Sequence, residues 1–193
     1  MSRTVATIDL ESMSLRTDAV IVSVGVVFFD LEEVDTFEDL LKRGTILYVS
    51  AEEQAKNGGR RADSDTLDWW RKRPEDVQDQ LSHKGVSPAM LADLMTQMMW
   101  ANNTKRNNTR WYARGPQFDI AKLEDLFWQF EVTSPWHYRK PRCSRTFLEE
   151  HGVEDDGKIA FPAGMIPHNA LHDAAFEAFM MQRAYNGVPM IVN

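Results

Sequence analysis

A chain of 193 residues, 43% of them hydrophobic and 26% charged, can bury one core without disulfide or metal staples. Its net charge of −7 excludes a protein that coats nucleic acid by charge alone, while acids that hold divalent cations fit the same balance. The longest apolar run, Val20 to Phe29, stops at ten residues, short of the ~20 of a membrane span, so no membrane contact is expected. One cysteine, Cys143, excludes an internal disulfide and a cysteine-built zinc site, and points to a reducing, cytoplasmic compartment. Met1 to Thr4 leads into an apolar segment with no small-residue cleavage site, so no secretion signal is expected.

In chain order, Val5 to Leu10 predicts a strand. Val20 to Phe29 predicts a second, apolar on both faces and hence central in a sheet. Thr45 to Val49 predicts a third. The stretches between are too short for a crossover helix, with at most a short turn at Asp35 to Lys42, so antiparallel neighbours are expected. Asn57 to Arg61 reads as a loop. Ser64 to Trp70 reads as a capped helix start, and Pro74 and Pro88 restart helices. Met90, Leu91, Leu94, Met95, Met98 and Met99 recur at helical spacing, a packing stripe. Asn102 to Arg110 is a polar, basic loop, Trp111 to Ala113 a short strand, and Phe118 to Phe130 a helix. Pro135 to Pro141 is irregular. Cys143 to His151 predicts a short helix closed by Gly152. Asp155 to Ile166 reads as a loop and His168 to Asn186 as the last helix. No repeat or linker divides the chain, so residues 1–193 read as a single α/β domain.

Asp9 and Glu11 end the first strand. Period-2 alternation puts both on one face, where two carboxylates repel unless cations hold them together. Hard oxygen ligands select Mg²⁺ or Mn²⁺. Taken alone, Asp-x-Glu reads first as an exposed strand end. Asp119, in Gly115-Pro116-Gln117-Phe118-Asp119, opens a helix, where an acid also complements the dipole. In Pro167-His168-Asn169-Ala170-Leu171-His172-Asp173-Ala174, Asn169 is a plausible N-cap. His168 then lies in the loop before the helix and Asp173 about one turn in. His172 points about 100° away from Asp173 and reads as a packing or surface histidine.

Taken together, Thr7-Ile8-Asp9-Leu10-Glu11-Ser12, Gly115 to Asp119, and His168 to Asp173 form an ordered set. The chain here resembles the DEDDh 3′→5′ exonucleases of the ribonuclease H-like fold, from Thr7 to Met181. Within them it is similar to the phage exodeoxyribonuclease A-type branch. The branch-like features are Asp9 to Ser14, Asp65 to Trp70, and Arg145-Thr146. Gly115 stands where many members carry Asn, a departure that branch tolerates.

The resemblance implies an α/β, ribonuclease H-like mixed sheet with antiparallel first three strands and flanking helices. It implies phosphodiester hydrolysis with two divalent ions, Mg²⁺ with Mn²⁺ as substitute. Asp9 would bridge the ions, Glu11 and Asp173 complete one site, and Asp119 hold the second. His168 would be the general base, swung into place by the loop Asp155 to Pro167. Leu10, Ser12 and Met13 would contact the 3′-terminal nucleotide, Ser12 and Met13 through backbone amides, with Met13 wedged against its base.

Trp69 or Trp70 would stack on a base, but adjacent helix residues diverge by about 100°, so at least one is expected in the core. Lys105, Arg106, Arg110 and Arg114 form a basic cluster that would steer phosphates, and Arg71-Lys72-Arg73 reads as a solvated helix face. The expected partner is single-stranded nucleic acid, DNA favoured over RNA, in a bacterial cell or phage-infected host, with a homodimer implied by the resemblance. An exoribonuclease is the alternative substrate class. A catalytically silent binding module on the same fold is the alternative of another kind. A ribonuclease H-like endonuclease shares the carboxylates, but the His-to-Asp motif argues against it.

Overall fold

The computed structural model describes residues 4–154 and 159–190. Strand β1 (Thr4–Ser12) and strand β2 (Ile21–Asp30) run antiparallel, with Asp9 opposite Gly25 and Glu11 opposite Ser23. Helix α1 (Phe37–Arg43) leads to β3 (Thr45–Tyr48), antiparallel to β2. Helices α2 (Ala51–Gly58), α3 (Ser64–Trp70) and α4 (Glu75–Gln78), a 3₁₀ turn (Asp79–Ser82) and α5 (Pro88–Ala101) follow. Strand β4 (Trp111–Ala113), α6 (Asp119–Gln129), β5 (Pro141–Cys143), α7 (Ser144–Glu150) and α8 (Ala170–Tyr185) complete the order. The five-stranded sheet is ordered β3-β2-β1-β4-β5, with β4 parallel to β1 and β5 parallel to β4. The antiparallel first three strands expected from the sequence are present.

Alternation along β1 decides what faces what. Ala6, Ile8 and Leu10 join Leu91, Met95 and Met99 of α5 and Ile120, Leu123 and Phe127 of α6 in one core. Val5 joins Phe37 and Leu40 of α1 and Ala174, Ala178 and Met181 of α8 in the other. The Thr7 hydroxyl, on the second face, donates to the Ala174 carbonyl at 2.7 Å. Asp9 and Glu11 therefore point to the α8 side at the end of the strand.

Helix α8 sits unusually close to the sheet. A Cβ on Gly25 would lie 2.0 Å from the Ala170 carbonyl oxygen, so only glycine lets the helix start there. The Asn169 side chain caps that start, accepting from the Leu171 and His172 amides.

Three local differences from the sequence reading have physical causes. The stretch read as at most a short turn holds helix α1 (Phe37–Arg43), because Thr36 caps it by accepting from the Asp39 amide and Phe37 and Leu40 are buried. Helix α2 lacks an apolar stripe but is capped by Ser50 and closed by left-handed Gly59. Its buried Gln54 bonds both the amide and the carbonyl of Ile21, fixing the start of β2. Strand β5 forms inside a stretch read as irregular at its N-terminal side, because pairing with β4 supplies its ladder. Among the described residues no helix is long and apolar enough to cross a membrane.

Candidate active site

The end of β1, the start of α6 and the start of α8 meet at a cleft of about 770 Å³. Asp9, Glu11, Asp119, His168 and Asp173 all line it. Asp119 is buried, whereas Asp9, Glu11 and Asp173 retain access to the cleft. Glu177, one helical turn beyond Asp173, is also buried and also lines the cleft. It pairs with Arg114 at 3.2 Å.

This much carboxylate in one place cannot ionise freely. Burial pushes Asp9 well above the usual carboxylate range, and the charges of Asp119, Asp173, Glu11 and Glu177 push it further. Glu11 is raised by burial and then by Asp173 and Asp119. Burial lifts Asp119 to about 7, against hydrogen bonds from the Leu10 amide and its own, and the charge of Lys122. Burial lifts Asp173 to about 7, against a hydrogen bond from the His168 amide. Glu11, His168 and Asp173 each place one ligand atom within 4.8 Å of the others. Hard oxygen donors that repel one another across a shared cleft fit divalent cations.

His168 is fixed by three contacts. Its backbone is left-handed, with φ of 64°. Its amide donates to Asp173 Oδ2 at 2.8 Å, and its carbonyl accepts from Gln80 Nε2 at 2.7 Å. Its ring meets Trp69 edge to face, with centroids 4.9 Å apart. Burial lowers its pKa below the ordinary histidine value, and the Arg73 charge lowers it further. The swing expected of His168 is not needed to reach this position: the ring already faces Glu11 and Asp173. Residues 155–158 of the loop invoked for that swing lie outside the described residues.

The expected substrate contacts divide. Leu10 and Ser12 line the cleft. The Met13 amide donates to the Val20 carbonyl at 2.9 Å, and its side chain packs against Val22, Trp70 and Val77. Trp69 lines the cleft, while Trp70 is in the core with its indole N–H on the Ser12 carbonyl at 3.1 Å. His172 stays out of the cleft: its Nδ1 accepts from the Ile166 amide. Of the basic cluster, Arg114 lines the cleft, and Arg106 instead donates to the Ser134 carbonyl. Of the face read as solvated, Arg71 and Lys72 are exposed, whereas Arg73 is half-buried with its guanidinium 4.5 Å over the Trp69 ring.

Sequence reasoning missed Glu177, Gln80 and Lys122. The first had a signal, its helical spacing from Asp173. Lys122 is buried, donates to the Leu15 carbonyl at 3.3 Å, and is lowered by burial to about 8. Its spacing from Asp119 puts it on the same helix face.

The sheet and its helices thus bring the acids of three separate sequence motifs and one histidine to a single cleft. The chain belongs to the Rv2179c-like family, described as the 3′-5′ exoribonuclease Rv2179c-like domain, which it matches over residues 4–185. No curated protein gives a significant sequence match. Among solved structures, the zinc-ion-bound form of the E. coli ExoI–ssDNA complex superposes with a TM-score of 0.61 at 11% identity, covering 97% of this chain and 41% of that one. The nuclease domain of 3′hExo, a DEDDh family member bound to rAMP, gives 0.53 at 17% identity, covering 100% and 96%. Cell-death related nuclease 4 gives 0.51 at 12% identity, covering 100% and 67%. These likenesses establish the ribonuclease H-like exonuclease fold, and the chain spans less than half the length of the ExoI structure.

Proposed function

We propose that residues 1–193 form one metal-dependent exonuclease domain that removes nucleotides from the 3′ end of single-stranded nucleic acid. The observation that carries this is the convergence of Asp9, Glu11, Asp119, Asp173 and His168 on one cleft. Two divalent ions, Mg²⁺ or Mn²⁺, would lend positive charge to the attacking water and to the leaving oxygen. Asp9 would bridge them, with Glu11 and Asp173 on one and Asp119 on the other.

His168 works in its neutral form, accepting the proton of the attacking water at the ring nitrogen that faces Glu11 and Asp173. Burial and the Arg73 charge lower its pKa, which favours that neutral form. Leu10 and Ser12 contact the terminal nucleotide from the cleft wall. Trp69 offers a stacking surface for a base. Met13 holds the turn after β1, its amide being committed to the Val20 carbonyl.

RNA is the substrate favoured here, because the family is described by an exoribonuclease. DNA is favoured by the resemblance to the phage branch in Asp9 to Ser14, Asp65 to Trp70 and Arg145-Thr146, and single-stranded DNA is the ligand of the ExoI structure. A homodimer and a cytoplasmic location complete the proposal, the former tested by light scattering on the purified chain. The decisive experiment incubates the protein with 5′-labelled single-stranded RNA and DNA of matched sequence, with Mg²⁺, Mn²⁺ or chelator. A one-nucleotide ladder from the 3′ end, metal-dependent and lost in Asp9→Ala, is expected, faster on RNA. No shortening of either strand overturns the proposal in favour of a silent binding module.

A further inference from the structure

Gln80 lies far from the motif residues in sequence, in the 3₁₀ turn after α4, yet it is only 2% exposed. Both ends of its side chain are used. Its Oε1 accepts from the Ser23 hydroxyl at 2.8 Å, and its Nε2 donates to the His168 carbonyl at 2.7 Å and the Val77 carbonyl at 3.2 Å. Ser23 is itself fully buried in β2, directly opposite Glu11. The His168 amide donates to Asp173. A continuous chain of bonds thus runs from the strand beside Glu11, through Ser23 and Gln80, across the His168 peptide, to Asp173 on α8.

His168 needs such a clamp. A non-glycine residue with φ of 64° is held by its surroundings rather than by its own preference. Its carbonyl-side anchor is Gln80, and this anchor does not depend on the charge state of any acid or on bound metal. The His168 and Val77 carbonyls fix which end of the Gln80 amide faces them, because a carbonyl only accepts and Nε2 is the end that donates; the rotatable Ser23 hydroxyl then donates to Oε1. The Val22, Trp70 and Val77 cluster packs beside it and keeps the turn from moving.

We propose that Gln80, anchored to β2 through Ser23, is a positioning residue for the general base, holding His168 in the conformation that points its ring at Glu11 and Asp173. This rests on the reading of His168 as the base. Gln80 does not line the cleft and acts only through the His168 backbone.

The test is a double-mutant cycle on single-stranded RNA with Mg²⁺. Gln80→Ala is expected to lower kcat about 10- to 100-fold, the cost of a misplaced catalytic group, with KM changed less than about twofold. In a His168→Ala background the same change is expected to cost nothing further. Gln80→Met fills much of the same space but donates nothing to the His168 carbonyl, so it should match Gln80→Ala in kcat while keeping the turn packed. This second variant carries the test if Gln80→Ala does not fold. The proposal is overturned if both Gln80 variants keep wild-type kcat, or if Gln80→Ala lowers kcat equally with and without His168. If His168→Ala itself turns over like wild type, the general-base reading fails first, and the positioning role falls with it.

Discussion

The Asp173 carboxylate accepts a 2.8 Å hydrogen bond from the backbone amide of His168, the residue five positions before it. One acid therefore does two things: it stands in the carboxylate cluster and it fixes the peptide that carries the histidine. The spacing of the motif follows from this. Asn169 must cap α8, Asp173 must fall one turn in, and His168 must precede the cap in a left-handed conformation. Gly25 on β2 admits the whole arrangement by letting the helix backbone approach the sheet.

His168→Ala should lower kcat by about 10²–10⁴, the usual worth of a general base. Mg²⁺ affinity, read by isothermal titration with non-cleavable substrate, should stay nearly unchanged. A parallel collapse of metal affinity would make His168 a ligand beside Glu11 and Asp173, with which it shares a 4.8 Å cluster.

The metal-free protein should lose stability as pH rises from about 4 to about 7. Asp119 and Asp173 hold their protons to about 7 when folded, against ~3.9 when unfolded. Across that window the folded state binds more protons than the unfolded, so stability falls as pH rises. Asp9 and Glu11 act in the same direction. Asp119→Asn removes one of these charges and keeps an acceptor for the Leu10 amide, so it should raise the metal-free Tm at pH 8. Each kcal/mol gained reads as roughly 2–4 °C at this length. Thermal melts in chelator check both; a Tm independent of pH between 4 and 7 would show that the acids do not strain the fold.

What the sequence made legible was what local spacing encodes. Period-2 alternation placed Asp9 and Glu11 on one face, and the Asn169 cap placed His168 ahead of α8. Trp69 and Trp70 diverged as adjacent helix residues must, one to the cleft and one to the core. The unread part is carried by contacts between distant segments. Nothing near Gln80 announces that it will meet Ser23 and His168. Strand β5 has three residues and no alternation, so its strand character comes from β4 alone.

Arg73→Gln should move the acid limb of kcat to higher pH. Neutral His168 is the active form, so kcat rises with pH through its pKa. Burial and the Arg73 charge both hold that pKa below its ordinary value, and removing Arg73 relieves the second. Arg73→Lys keeps the charge and should keep the limb near its wild-type position. A pH–kcat profile of the three proteins decides; an unmoved limb in Arg73→Gln would show that the limb does not report His168.

Gly25→Ala should damage stability and catalysis together. The added Cβ would meet the Ala170 carbonyl oxygen at 2.0 Å, its carbon at 2.2 Å and the Leu171 nitrogen at 2.5 Å. All three are backbone atoms at the start of α8, so the helix must shift, at a cost of about 1–3 kcal/mol or more. That shift carries Asp173 and the His168 peptide away from Asp9 and Glu11, so kcat should fall at least about tenfold, as misplacement by even ~1 Å does. Gly152→Ala provides the contrast. Gly152 follows α7 with φ of 75° and no atom within 4 Å of a new Cβ. It should cost about 1–2 kcal/mol from the left-handed backbone and leave kcat untouched. Chemical denaturation paired with steady-state kinetics separates the two. Equal kcat in Gly25→Ala and wild type would show that the site does not depend on how closely α8 seats on the sheet.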